Sequence, residues 1–292
     1  MPHSSVLVQK RSVSRLVAIT SSILVVGLAG CGEGESGGKG SLIVATTTST
    51  RDSGLLDVLI PAFEQDSGIE VKTLAVGSGE ALELGERGEA DVLLVHSPAA
   101  EEELMATGKA GQRRLVMHND FVVVGPAGDP ARIAGKPVAE AFAGVADAEA
   151  SFVSRGDDSG THSAELGFWE DAGVQPGGGW YSETGQGMGA TLRVADERSA
   201  YTLADRGTYL AQPGELEILV EGDPDLLNVY HVIDMTAKAG DRVNVDGALS
   251  FADWIVSTEA QELIGAFGKD EYGRALFTPD AGKTEAQVEA AA

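Results

Sequence analysis

The hydrophobic period of this chain switches repeatedly between two and about 3.6 residues, the signature of alternating strands and helices. Leu42-Ile43-Val44-Ala45 is a compact strand signal, and Leu55 to Phe63 then carries apolar residues at helical spacing until Gly68 stops it. Ile69 to Val76 alternates as a strand does, and Gly77-Ser78-Gly79 breaks it. Glu80 to Glu86 fits a helix, and Ala90 to Val95 is an apolar run suited to a buried strand. Strand, helix, strand, helix, strand at this spacing predicts a parallel sheet with helices on its faces. In such sheets ligands bind where strands turn into helices. Thr46 to Thr50, five consecutive hydroxyl side chains, and Gly77 to Gly79 both fall on such turns.

The same grammar returns further on. Phe121 to Pro126 predicts a strand, and the Gly, Pro and Ala-rich stretch from Gly125 to Pro137 predicts a passage to a second lobe. Ser151 to Ser154 is a brief strand, followed by the polar turn Arg155-Gly156-Asp157-Asp158-Ser159-Gly160-Thr161-His162. A helical stripe, Ala164 to Trp169, then runs until Gly173. Gly187 to Ala204 predicts a helix leading into Tyr201, and Leu226 to Met235 a strand returning to the first lobe. Gly247 to Phe267 predicts one or two closing helices, and the alanine-rich Glu285 to Ala292 a frayed end. The organisation expected is an α/β chain with a first lobe over 42–125 and 229–280, a second over 126–228, and a disordered tail over 281–292.

The segment before Leu42 has a different composition. Lys10, Arg11 and Arg15 precede an apolar run, Leu16 to Leu28, that is short for a membrane span; together they predict a secretory signal over 1–30. The single cysteine of the 292 residues, Cys31, follows Leu28-Ala29-Gly30. That arrangement resembles the lipobox of bacterial lipoproteins, in which the thiol is acylated, and a lone cysteine in an exported chain has no disulfide to make. Residues 31–41 then form a flexible Gly/Ser tether. The expectation is a protein anchored by lipid at the outer face of the cell membrane, or periplasmic.

The remaining body of about 250 residues is long enough for one large or two ordinary cores. Asp and Glu number 45 against 21 Lys and Arg. This balance makes nucleic acid and anionic lipid poor partners for the bulk surface. It says little about a pocket, because salt hides charges beyond about 8–10 Å. Locally, three polar turns offer hydroxyls, backbone N–H groups and helix N-termini, which favour anions. Arg155 adds a fork-shaped guanidinium. Each piece also has a plain structural reading. One Ser or Thr suffices for a helix cap, Arg155 beside Asp157 and Asp158 is a possible turn salt bridge, and Gly-Ser-Gly punctuates many loops. Tyr201, Asn228 and Tyr230 fit core or hinge positions, with Tyr201 alternatively offering its hydroxyl to a ligand. Asp158, Ser159 and His162 raise a Ser-hydrolase alternative. They lie within one segment and lack a G-x-S-x-G elbow, so His162 is expected on an exposed helix face. The five histidines show no metal-ligand spacing, so neither a metal ion nor a cofactor is expected. The acidic helix at Ala99 to Glu103 is expected to be a solvated face.

From Leu42 to about Thr278 the chain resembles the tungstate-binding proteins that deliver oxyanion to ABC transporters, relatives of molybdate- and phosphate-binding receptors. The resemblance rests on ATTTST (45–50), GSGEAL (77–82), ADVLLVHSP (90–98), SRGDDSGTH (154–162) and AYTLADRGTY (200–209). It implies a periplasmic-binding-protein-like fold of type II, two α/β lobes on a two-strand hinge, and no enzyme activity. It also implies a permease and an ATPase as partners of a monomeric receptor. For the oxyanion it implies contacts from Thr47, Thr48, Ser49 and Ser78 in one lobe and from Arg155 and Thr161 in the other. Gly189, Ala190 and Tyr201 are further candidates. Thr46 and Thr50 are expected to serve strand and helix, Arg51 to face solvent or a carboxylate, and Asp157 and Asp158 to face the protein. Val229 stands where the family tends to have proline. A phosphate or sulfate receptor of the same fold is the alternative.

Overall fold

The computed structural model describes residues 40–212 and 214–291, so the predicted signal, Cys31 and nearly all of the tether lie outside it. Ten strands are described: β1 (Leu42–Thr47), β2 (Val71–Val76), β3 (Val92–Val95), β4 (Ala110–Gly125), β5 (Phe152–Ser154), β6 (Tyr181–Glu183), β7 (Thr202–Asp205), β8 (Glu217–Val220), β9 (Leu227–Met235) and β10 (Thr278–Pro279). The helices are α1 (Thr48–Asp52), α2 (Leu56–Ser67), α3 (Ser78–Glu86), α4 (Pro98–Ala106), α5 (Val138–Asp147), α6 (Gly160–Asp171), α7 (Met188–Arg198), α8 (Arg206–Ala211), α9 (Val245–Ile255), α10 (Thr258–Ala266), α11 (Lys269–Tyr272) and α12 (Glu285–Glu289).

In the first lobe the sheet runs β10-β4-β9-β3-β1-β2. β1 pairs parallel with β2 and β3, whereas β9 runs antiparallel to β3 and β4. Both faces are covered, and the pleat divides each strand between them. Val92 and Leu94 enter one core with α2, α9 and α10, while Leu93 and Val95 enter another with α3 and α4. β4 continues beyond this sheet. Its end, Phe121 to Val124, pairs antiparallel with β7, and its last residues also meet β8. Phe121 and Val123 pack with α5 and α6 in the second lobe, while Val122 and Val124 pack with α7. One long strand therefore belongs to both lobes, and the chain returns through β9.

Several expectations change here. The strand predicted from Phe121 starts eleven residues earlier, because Arg113 and Arg114 in its first half find carboxylates at Glu101, Glu285 and Asp253. The helix predicted over Gly187 to Ala204 stops at Arg198. Ser199 turns it with φ 49°, and Thr202 to Asp205 pair with β4 instead. Glu101, expected in a solvated face, is fully buried and meets Arg113 and His231, whereas Glu102 and Glu103 are exposed. The tail expected to be disordered forms α12 under a Thr284 capping box; Val288 is buried and Glu285 meets Arg113 and His231. No helix among the described residues is long and apolar enough to cross a membrane.

Candidate functional site

The site forms where the C-terminal ends of β1 and β2 face the turn between β5 and α6. Behind that turn Phe142, Phe152 and Trp169 meet edge to face or tilted, with centroids 4.5–5.7 Å apart. Each such pair contributes about 0.5–1.5 kcal/mol beyond its buried area. This cluster holds β5 and α6 rigid, so Arg155 and Thr161 project from a fixed base. The Trp169 indole N–H also donates to Glu165 Oε1 at 3.0 Å, as does the Tyr181 hydroxyl. Burial pushes the Glu165 carboxyl up to about 7 against these two donors.

Arg155 is 1% exposed and crosses between the lobes. Its Nη1 donates to Ser49 Oγ and its Nη2 to Thr48 Oγ1, each at 2.9 Å, and Nη1 reaches Thr161 Oγ1 at 3.4 Å. A hydroxyl that accepts from a guanidinium keeps its own O–H to donate elsewhere. Thr48, Ser49 and Thr161 thus gather as hydroxyl donors around one buried cation. A second bridge joins the lobes: Gly160 N–H, at the start of α6, donates to the buried Ser78 Oγ at 3.2 Å. Ser159 caps α6 by accepting from His162 N–H.

Thr46 donates to Leu94 O and so ties β1 to β3. Thr47, expected at the ligand, has its hydroxyl engaged in capping α1. It accepts from Thr50 N–H at 3.2 Å and bonds the Thr50 hydroxyl at 2.8 Å. Arg51 turns outward and pairs with Asp52. Ala190 donates its N–H to Gly187 O and lines a cavity beside Thr48. Tyr201 departs from the expected role: buried in the second core, its hydroxyl accepts from Ala131 N–H and donates to Asp129 Oδ1, each at 2.9 Å. Burial pushes that phenol up to about 12. His162 is buried as well, because its Nδ1 accepts from Asp158 N–H within the same turn.

Of the two carboxylates beside the site, one is bound to the Arg155 guanidinium and the other is turned away. Asp157 Oδ2 is held by Arg155 Nε and Nη2, while Asp158 is 99% exposed and faces solvent, not the protein as expected. Asp205, missed in the sequence, is buried and caps α8 by accepting from Thr208 N–H at 2.8 Å. Burial raises its pKa, opposed by that N–H and by the charge on Arg155.

A polar network missed by sequence reasoning, save for Asn228 and Tyr230, joins the hinge to the site. His96 Nδ1 meets Asn228 Oδ1 at 2.9 Å, and Asn228 donates to Asn119 Oδ1 and to the Tyr230 hydroxyl. The His96 ring stacks on Tyr230 at 4.7 Å. Burial above all, helped by the charge of Arg155, lowers its pKa to about 4, so the ring is neutral near pH 7. Asn119 and Asn228 face one another across β4 and β9, and Val229 lies opposite His118 in the same ladder.

Two α/β lobes on shared strands, closed over a buried arginine and a ring of hydroxyls, define a solute-binding protein of the periplasmic type. Residues 32–259 match the family profile described as PBP superfamily domain. The chain is 49% identical over 284 residues to the tungstate-binding protein TupA of Peptoclostridium acidaminophilum, covering 92% of this chain and 99% of that one. It resembles the solved structure of the tungstate ABC transporter from Geobacter sulfurreducens, with a TM-score of 0.72 and 46% identity over 78% of this chain and 98% of that one. It is also similar to TupA from Desulfovibrio alaskensis G20, with a TM-score of 0.69 and 45% identity over 82% of this chain and 99% of the other. The chain belongs to the tungstate-binding protein TupA family.

Proposed function

We propose that this protein is the extracytoplasmic solute-binding component of an ABC importer and captures a tetrahedral oxyanion, tungstate or the similarly sized molybdate, between its lobes. The observation that carries this reading is the Arg155 guanidinium of one lobe meeting the hydroxyls of Thr48 and Ser49 in the other. Thr48, Ser49, Thr161 and Arg155 supply the donors, with Ser78 and the N-terminal N–H of α6 closing the seam. An anion that presents only acceptors suits such a set. Hydrogen phosphate also needs an acceptor for its proton, and Asp157 is already engaged while Asp158 faces solvent. Catalysis has no support here, since Ser159 serves as a cap and Asp158 is turned outward.

Calorimetric titration with tungstate, molybdate, sulfate and phosphate tests this function. Tight tungstate or molybdate binding with weak phosphate binding is expected; tight phosphate binding with indifference to tungstate would sink it. The receptor is taken to act as a monomer delivering to a permease and its ATPase, held to the membrane by acylated Cys31. Mass spectrometry of the membrane-extracted N-terminal peptide should show a lipid-modified cysteine, and an unmodified thiol there removes the anchor.

A further inference from the structure

Two cavities open on the seam between the lobes. One, of about 320 Å³, is backed by hinge residues Phe121, Leu227, Asn228 and Val229. The other, of about 500 Å³, touches no hinge strand, so it lies on the side where the lobes part. Its walls come from α1 of the first lobe and from α7 and the residue that follows α8 in the second, with Thr48, Arg51, Asp52, Ala190, Arg193 and Gln212 among them. Thr48 is also the acceptor of Arg155 Nη2, so this cavity adjoins the donor cage directly. A Cβ on Gly187 would stand 3.2 Å from Thr48 Oγ1, which leaves the passage narrow at that point.

The charges around this opening differ from those of the surface at large. The formal net charge is -24, a field that repels a dianion from most directions. At the opening, Arg51 is neutralised by Asp52 at 2.7 Å. Among the described residues, Arg193, exposed on α7, makes no ion pair and donates to the neutral Gln212 Oε1 at 3.2 Å. Asp196, one turn on, is occupied by Glu215 N–H at 2.8 Å. Arg193 is thus the cation at the opening that makes no ion pair, on the far side of the cavity from Thr48; Asp196 keeps its charge one turn away, and Arg155 behind Thr48 is paired with Asp157.

We propose that this cavity is the entry port for the oxyanion and that Arg193 steers the anion into it, while Asp52 slows its approach. The inference rests on the oxyanion-binding reading above and adds the route and the residues that set the association rate. A unit charge about 10 Å from the path of a dianion changes encounter about fourfold in unscreened water. Arg193→Glu shifts the charge by two. With a Debye length of about 30 Å at 0.01 M salt and about 8 Å at 0.15 M, association should slow about sevenfold at the lower salt and about twofold at the higher. Asp52→Asn should accelerate it about threefold at low salt by the same arithmetic.

The test is stopped-flow or kinetic calorimetric association of tungstate with the full chain, at both salt concentrations, for wild type, Arg193→Glu, Asp52→Asn and Arg242→Glu. Arg242 is exposed and near in sequence to Asn244, which contacts Ser41 at the far end of β1, about 20 Å from Thr48 by strand geometry. It makes the same change in net charge away from the port. The expected result is a salt-dependent loss in Arg193→Glu, a gain in Asp52→Asn, near-wild-type rates in Arg242→Glu and little change in dissociation. If Arg193→Glu and Arg242→Glu slow association equally, or neither does while the wild type binds, the port is refuted and the binding function stands. A wild type that binds none of the anions refutes the function itself.

Discussion

Gly160 is the point at which closure of the lobes can be perturbed with least damage to either lobe. It begins α6 in the second lobe and faces His96 of the first. A Cβ added there would lie 2.7 Å from the His96 carbonyl oxygen and 2.7 Å from two atoms of its ring. The oxygen belongs to the backbone, so a rotamer change cannot relieve the contact, and ordinary separation needs about 0.7 Å of movement. Overpacking of this kind typically costs about 1–3 kcal/mol. When the lobes separate the clash vanishes, so the cost falls on closure and not on the fold of each lobe. Gly160→Ala should therefore weaken tungstate binding about 5- to 140-fold, since about 1.4 kcal/mol is tenfold. The thermal midpoint of the ligand-free protein should change little or shift with an opening visible in solution scattering. Calorimetry and melting on the same preparation check this. Affinity within twofold of wild type would refute the reasoning, as would a ligand-free protein that unfolds in proportion to its lost affinity.

Glu165 and His96 give opposite pH limbs. Glu165 is raised in the fold to about 7 from 4.5, so its stabilising proton is fully present below about pH 4.5 and lost as pH rises through 7. The loss is about 3 kcal/mol, and Glu165→Gln should gain stability over wild type across that window in urea melts; parallel curves would contradict it. His96 is lowered to about 4 from 6.5, so wild type should lose stability as pH falls from about 6.5 to 4, a limb that His96→Asn should flatten. Glu285→Ala strips a partner from Arg113 and from the buried His231 and should cost about 1–3 kcal/mol of unfolding free energy; a change below about 0.5 kcal/mol would mean that α12 is not docked.

The parts of the fold legible in the sequence are those whose cause is local. Val92 to Val95 read as a buried strand because both of its faces are covered, and the hydroxyl run from the end of β1 into α1 and the polar turn before α6 stood out because their residue types suit turns and caps. Arg155 was legible as a cleft donor, but not as a buried one: its partners Thr48 and Ser49 lie more than a hundred positions away. The same reason hid the first half of β4, where the carboxylates that meet Arg113 and Arg114 lie far away in the sequence or on another element. Glu101 and α12 were hidden with them, since they are the other side of those contacts. Tyr201 misled because a hydroxyl in a family motif does not reveal which way its ring points. Gly160 and His96 carried no signal, because their meaning is an approach between two lobes that neither segment encodes alone.

The most direct test of the central claim, that Arg155 and the facing hydroxyls grip an oxyanion across the seam, is tungstate titration into wild type and Arg155→Ala side by side. Removing one partner of a buried, hydrogen-bonded charge contact typically costs about 2–5 kcal/mol. Wild type should bind one tungstate per chain, and the variant should bind at least about 30-fold more weakly while keeping a cooperative unfolding transition. Equal affinities in the two proteins would contradict the account.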